Sequence, residues 1–202
     1  MKIIMYLFFI LISLTSFSQE EILIKGKLFF SDNFYETFPN LLVKLDSSSK
    51  YIQIKEDGKF EIKTPIKKES YQLFFYYGNI KFKEFDYKFK WTKRKKPKSI
   101  SLAEKCEVNK SLVKRDFKKG KMKLYFFKED EKVKLTDKDR RIQKEYFIEY
   151  IQFPLSEIIN YDCYLDYNQR VFKFLFLIGK KKYLDKINNN VIGYHYRYNI
   201  TK

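Results

Sequence analysis

The chain has 202 residues and a formal net charge of +17, from 42 Lys+Arg against 25 Asp+Glu. Hydrophobic residues make up 45% and charged residues 33%, a balance that excludes a disordered or collagen-like chain. One His and two Cys exclude a paired-His metal centre and a zinc finger, and a single long apolar run excludes a multi-pass membrane protein.

Residue usage is skewed. Alanine occurs once, at Ala103, and Arg only at positions 94, 115, 140, 141, 170 and 197, so Lys supplies most of the positive charge. Codons of an AT-rich genome give this pattern. The charge therefore has two readings, drift toward Lys and selected binding of polyanions, and composition leaves both open.

Residues 1–18 read as a secretory signal peptide. Lys2 supplies the positive start, residues 3–14 form an apolar core, and Ser16 and Ser18 stand at −3 and −1 of a cut before Gln19. The core is too short for a membrane span of about 20 residues. The product is expected to be exported to the periplasm or beyond, to be soluble, and to carry +16 once Lys2 is lost. In an oxidising compartment Cys106 and Cys163 have two readings, a disulfide or two buried thiols, and spacing does not choose between them.

Residues 22–103 alternate apolar and polar positions with a period of two. Strands are predicted over 22–30, 41–46, 51–55, 60–64, 71–77, 81–90 and 98–102, with an Asp-Gly hairpin turn at Glu56-Asp57-Gly58-Lys59 between the third and fourth. The Lys83-Glu84 pair breaks the alternation of the sixth, where a bulge is expected. Short strands at this spacing predict an immunoglobulin-like β-sandwich.

Gly26-Lys27-Leu28-Phe29-Phe30-Ser31-Asp32 resembles the opening strand of the carboxypeptidase-regulatory-like domain, a transthyretin-type sandwich common in exported Bacteroidetes proteins. Pro39-Asn40-Leu41-Leu42-Val43-Lys44-Leu45 is similar to that family's second strand. Glu56-Asp57-Gly58-Lys59-Phe60-Glu61-Ile62 is a close variant of its most distinctive hairpin, and Tyr71-Gln72-Leu73-Phe74-Phe75-Tyr76-Tyr77-Gly78 resembles a later strand. Segment 33–38 departs from the family, which often has a Gly turn there. The resemblance implies a non-catalytic module in which Asp57 and Gly58 make a turn and Phe60 enters the core.

The basic run Trp91-Thr92-Lys93-Arg94-Lys95-Lys96-Pro97-Lys98 joins the last two predicted strands. Trp91, Lys93, Arg94, Lys95 and Lys96 form a candidate contact for lipopolysaccharide phosphate or an acidic glycan, or else a solvated hairpin tip. No nucleic-acid fold signature is present, and export argues against nucleic acid as the partner.

Residues 104–202 read as a second, smaller α+β unit. Residues 104–120 are polar and mixed, ending in a turn at Gly120. A strand is predicted over 122–127. A helix is predicted over 137–150, with Thr136 as its N-cap and Ile142, Tyr146, Phe147 and Tyr150 on one stripe. Pro154 breaks the chain. A second helix over 161–178 turns Leu165, Asn168, Val171, Phe172, Leu175 and Phe176 inward, with Gly179 ending it. A short helix over 181–187 and an Asn188-Asn189-Asn190 turn follow. The segments Tyr167-Asn168-Gln169-Arg170-Val171-Phe172-Lys173-Phe174-Leu175, Gly179-Lys180 and Asn190-Val191-Ile192-Gly193 resemble the tail of small secreted Bacteroidetes proteins, a resemblance that implies no activity.

His195 lies among aromatic and basic neighbours in what reads as a terminal strand or frayed end. Glu129-Asp130-Glu131 reads as a hairpin tip rather than a Ca²⁺ loop. No phosphate loop or nucleophile elbow occurs. The expected function is an exported, non-enzymatic binding or envelope-associated module, without metal or cofactor, whose partner is an envelope protein or acidic glycan. Polyanion binding through the Lys-rich surface and a carboxylate-based hydrolase are the alternatives.

Overall fold

The computed structural model describes residues 21–46, 50–65, 70–88, 102, 106, 108–127, 135–179 and 181–198. Its first half contains β1 (Glu21–Lys27), helix α1 (Asp32–Thr37), β2 (Leu41–Leu45), β3 (Tyr51–Gln53), β4 (Lys59–Pro65), β5 (Ser70–Tyr77) and β6 (Ile80–Lys88). β1 pairs antiparallel with β4, and the other strands form an antiparallel sheet in the order β3-β2-β5-β6. The alternation predicted from sequence sets which face is buried. Along β4, Phe60, Ile62 and Thr64 are buried while Lys59, Glu61 and Lys63 meet water. Ile22, Ile24, Phe60 and Ile62 from the strand pair join Leu41, Val43, Leu45, Leu73 and Phe75 from the larger sheet in one hydrophobic cluster. The fold is thus rich in antiparallel sheet, with helices beside it. The strand predicted over 98–102 lies outside the described residues except for Leu102, which is buried.

Two local expectations need correction. The Asp-Gly turn does not close a hairpin within one sheet: β3 pairs with β2, whereas β4 pairs with β1. The turn itself forms as its residues dictate. Gly58 takes φ +78°, its N–H donates to the Lys55 carbonyl at 2.8 Å, and Asp57 Oδ1 accepts from the Lys59 N–H at 3.1 Å. Turn chemistry fixes the reversal but not the bonding partners of the strands it joins, so the chain crosses from one sheet to the other. The bulge falls at Phe82 rather than Lys83-Glu84: Phe75 opposes Lys83 and Tyr76 opposes Lys81, leaving Phe82 between them, buried in the core.

Segment 33–38 folds mostly as α1. Ser31 caps it, its Oγ accepting from the Phe34 N–H at 3.2 Å, and Phe34 and Phe38 are fully buried.

The second half runs α2 (Lys110–Lys118), β7 (Met122–Phe126), α3 (Asp137–Tyr146), β8 (Ile148–Gln152), a 3-10 segment (Leu155–Asn160), α4 (Tyr161–Leu177), α5 (Lys181–Leu184) and a 3-10 turn (Tyr194–Tyr196). Thr136 caps α3 as predicted, in a reciprocal capping box with Asp139. The helix is shorter than predicted, ending at Tyr146 instead of residue 150. Phe147 turns left-handed at φ 55°, and the chain continues as β8, parallel to β7 with Met122 opposite Ile148. The cause lies in the spacing: Ile148 and Tyr150 are buried with the period of a strand, while Tyr146 and Tyr150 also fit a helical stripe. Phe147, expected on that stripe, is 58% exposed. The prediction for α4 stands to within a residue, with Leu165, Asn168, Val171, Phe172 and Leu175 buried and Phe176 only partly so. α5 stops at Leu184 rather than 187, and residues 110–118 form a helix that the polar reading of 104–120 lacks.

The cluster begun by the sheets continues into Phe153, Ile158, Ile159, Tyr161, Leu165 and Ile192. Asp162, in the first turn of α4, accepts from the Ser31 N–H at 2.8 Å and from its hydroxyl, and the Tyr196 hydroxyl donates to Asn33 Oδ1 at 2.6 Å. A second cluster lies between β7, β8, α3 and α4, built from Leu124, Ile142, Ile148 and Phe172 among others.

Gly26 stands opposite Phe60 in the β1–β4 ladder, and a Cβ there would enter the Phe60 ring, with Cε1 at 2.6 Å. Gly26→Ala is expected to destabilise the fold by about 1–3 kcal/mol through overpacking. Urea unfolding should show this as a lower midpoint at unchanged slope.

Candidate functional site

The predicted site residues fall into three groups. Trp91, Lys93, Arg94, Lys95 and Lys96 lie outside the described residues, as do Glu129, Asp130 and Glu131. Cys106 and Cys163 come together at disulfide distance, with Cα atoms 5.4 Å apart. Asp57 and Gly58 lie in the turn, and Phe60 is buried in the core. His195 sits in the 3-10 turn rather than a strand, its ring 4.6 Å from that of Tyr196.

Among the described residues, Asp139 is the buried carboxylate, and it is committed to structure. Its Oδ2 accepts from the Thr136 N–H at 2.9 Å and the Thr136 hydroxyl at 2.7 Å. Other carboxylates are similarly engaged. Asp116 accepts from the Tyr167 hydroxyl at 2.9 Å and Glu157 from the Tyr164 hydroxyl at 2.6 Å. No group of three His, Cys, Asp or Glu able to hold a metal ion occurs among the described residues.

The tyrosines carry the shifted titrations. Burial pushes the Tyr35 phenol, whose hydroxyl donates to the Leu28 carbonyl, up to about 12, and burial likewise pushes Tyr150 up to about 12. Burial, then the hydrogen bonds to Glu157 and Asp116, raise Tyr164 and Tyr167. An unfolded phenol ionises near pH ~10, so between there and about 12 the unfolded state holds fewer protons than the folded one. The contribution of Tyr35 and Tyr150 to stability is therefore intact below pH ~10 and falls as pH rises through that interval. Denaturant midpoints followed against phenolate absorbance should show an alkaline loss of stability, smaller in Tyr35→Phe and Tyr150→Phe.

A concave site lies between α2 and α4. Asn109 caps α2, accepting from the Leu112 N–H at 2.9 Å, and Phe117 packs on Phe174 of α4 with ring centroids 4.9 Å apart. These contacts hold the helices side by side around a cavity of about 390 Å³. Its apolar lining is Val113, Phe174, Leu177 and Ile178, and its cations are Lys110, Lys114, Arg170 and Lys173. Leu177 is 61% and Ile178 39% exposed, an apolar surface presented to solvent at the end of α4. Arg170 Nε donates to Asp166 Oδ2 at 3.0 Å. Lys110, Lys114 and Lys173 have no carboxylate partner among the described residues. The site combines an apolar floor with three lysines that have no carboxylate partner among the described residues.

Sequence reasoning places the α4 residues on a helix but assigns none of this site. Asn109 as a cap, with Leu112, Val113 and Phe117 close to helical spacing, is the signal that could have found α2.

No protein-family model matches the chain, and comparison with curated proteins and with solved structures gives no significant match.

Proposed function

We propose that the chain is an exported, non-enzymatic binding module of the cell envelope that takes anionic ligands. In this reading its first half is a β-sandwich of the carboxypeptidase-regulatory-like type and its second a smaller α+β unit. The observation that carries the proposal is the pocket between α2 and α4, where Lys110, Lys114 and Lys173 surround an apolar floor without carboxylate partners among the described residues. Binding sites are concave, mostly apolar and furnished with a few convergent polar groups, and this site has that composition. The signal-like N-terminus supports export, as does the Cys106–Cys163 pair at disulfide distance. Among the described residues no helix is long and apolar enough to cross a membrane. The engagement of Asp139 in its capping box favours binding over a carboxylate-based hydrolase.

The test is capture of native envelope material by the purified protein at low and high salt. Anionic material retained at low salt and released at high salt is the expected result. Retention of nothing at either salt would overturn the reading, as would hydrolysis of a captured glycan abolished by one carboxylate substitution.

A further inference from the structure

We infer that the pocket between α2 and α4 holds a single-chain amphiphile with an anionic head, bound as a monomer; this rests on the reading of the chain as an anion-binding module. The geometry divides into two chemistries. Phe174, Leu177 and Ile178 from the end of α4, with Val113 of α2, give a surface on which an acyl chain loses its contact with water. Lys110, Lys114 and Lys173 stand around it as point charges suited to a phosphate or carboxylate.

Charge complementarity selects the occupant. A neutral lipid leaves three ammonium groups unmatched, and a small inorganic anion leaves the apolar floor wet. Arg170 is already bonded to Asp166, so among the described residues the lysines supply the charge without a carboxylate partner. The cavity of about 390 Å³ has the size of a small-ligand pocket and the walls of two packed helices, which fits one chain rather than a bilayer surface.

Isothermal titration of the purified protein with dodecyl phosphate below its micelle concentration tests this. Inorganic phosphate, dodecyl maltoside and vesicles of phosphatidylglycerol with phosphatidylcholine run in parallel. Dodecyl phosphate is expected to bind, and inorganic phosphate and the maltoside to bind about tenfold more weakly or not at all. Leu177→Gln should weaken dodecyl phosphate about tenfold by wetting the floor. The double variant Lys114→Glu with Lys173→Glu should weaken it by about as much and flatten its salt dependence. All three residues are exposed, and a thermal unfolding transition like that of the parent verifies folding.

Equal affinity in the parent and both folded variants would overturn the inference. Inorganic phosphate displacing all bound amphiphile from an unchanged Leu177→Gln variant would also overturn it, leaving an anion site without a tail pocket. Binding to vesicles but not to monomeric dodecyl phosphate would assign the surface to a bilayer instead. Salt-sensitive capture of envelope material without dodecyl phosphate binding would remove the pocket assignment alone, whereas loss of both would remove the broader reading.

Discussion

The double substitution Cys106→Ser with Cys163→Ser is expected to lower the unfolding free energy by about 4 kcal/mol. The two cysteines are separated by 57 residues, and their Cα atoms stand 5.4 Å apart in the folded chain. A cross-link closing a loop of that length removes many conformations from the unfolded state. Its effect therefore acts mainly where no native contact is visible. Cys163 lies in the first turn of α4, beside Asp162, which accepts from Ser31. A bridge here ties the segment before α2 to the helix that docks against α1. Guanidinium unfolding with and without reductant checks the value. Reductant should lower the midpoint of the parent and leave the Ser variant unmoved. A parent insensitive to reductant would mean that the thiols are not joined in solution.

Asn168→Leu should cost about 3 kcal/mol, although the new residue is apolar and the site is fully buried. Asn168 has 0% exposure. Its Oδ1 accepts from the Tyr125 N–H at 2.9 Å, and its Nδ2 donates to the carbonyls of Tyr125 at 2.6 Å and Ile192 at 3.0 Å. The side chain therefore fastens α4 to β7 and to the segment at Ile192. A leucine leaves the Tyr125 N–H buried without its acceptor. The Ile192 N–H also donates to the Tyr125 carbonyl at 3.0 Å, so that group retains a partner and the loss stays below the sum of three bonds. Urea midpoints give the magnitude, and amide exchange at Tyr125 gives the location. A variant as stable as the parent would contradict the assigned network.

Most strands and α4 were legible because their signals are local. Phe60, Ile62 and Thr64 alternate with Lys59, Glu61 and Lys63 whichever strand lies next to them. Leu165, Val171, Phe172 and Leu175 keep a helical stripe over a long segment. What eluded the sequence depends on choices between distant partners. The turn at Asp57-Gly58 is readable, but the pairing of β3 with β2 and β4 with β1 is decided by the packing of both sheets on one cluster. Tyr146 and Tyr150 satisfy a helical spacing, and only the parallel partner β7 turns residues 148–152 into a strand. Asn168 was placed inward, yet its three partners lie on segments 43 and 24 residues away. The pocket was hidden for the same reason. One wall of it stands on α2, whose thin apolar stripe of Leu112, Val113 and Phe117 is diluted by lysines.

The most direct test of the account is chemical-shift mapping of the purified protein against an extract of native envelope lipids and glycans, at low and high salt. Binding at the pocket predicts shifts centred on Lys110, Lys114, Lys173 and Leu177 that shrink as salt rises. Shifts centred elsewhere in the chain, or none at either salt, would contradict it.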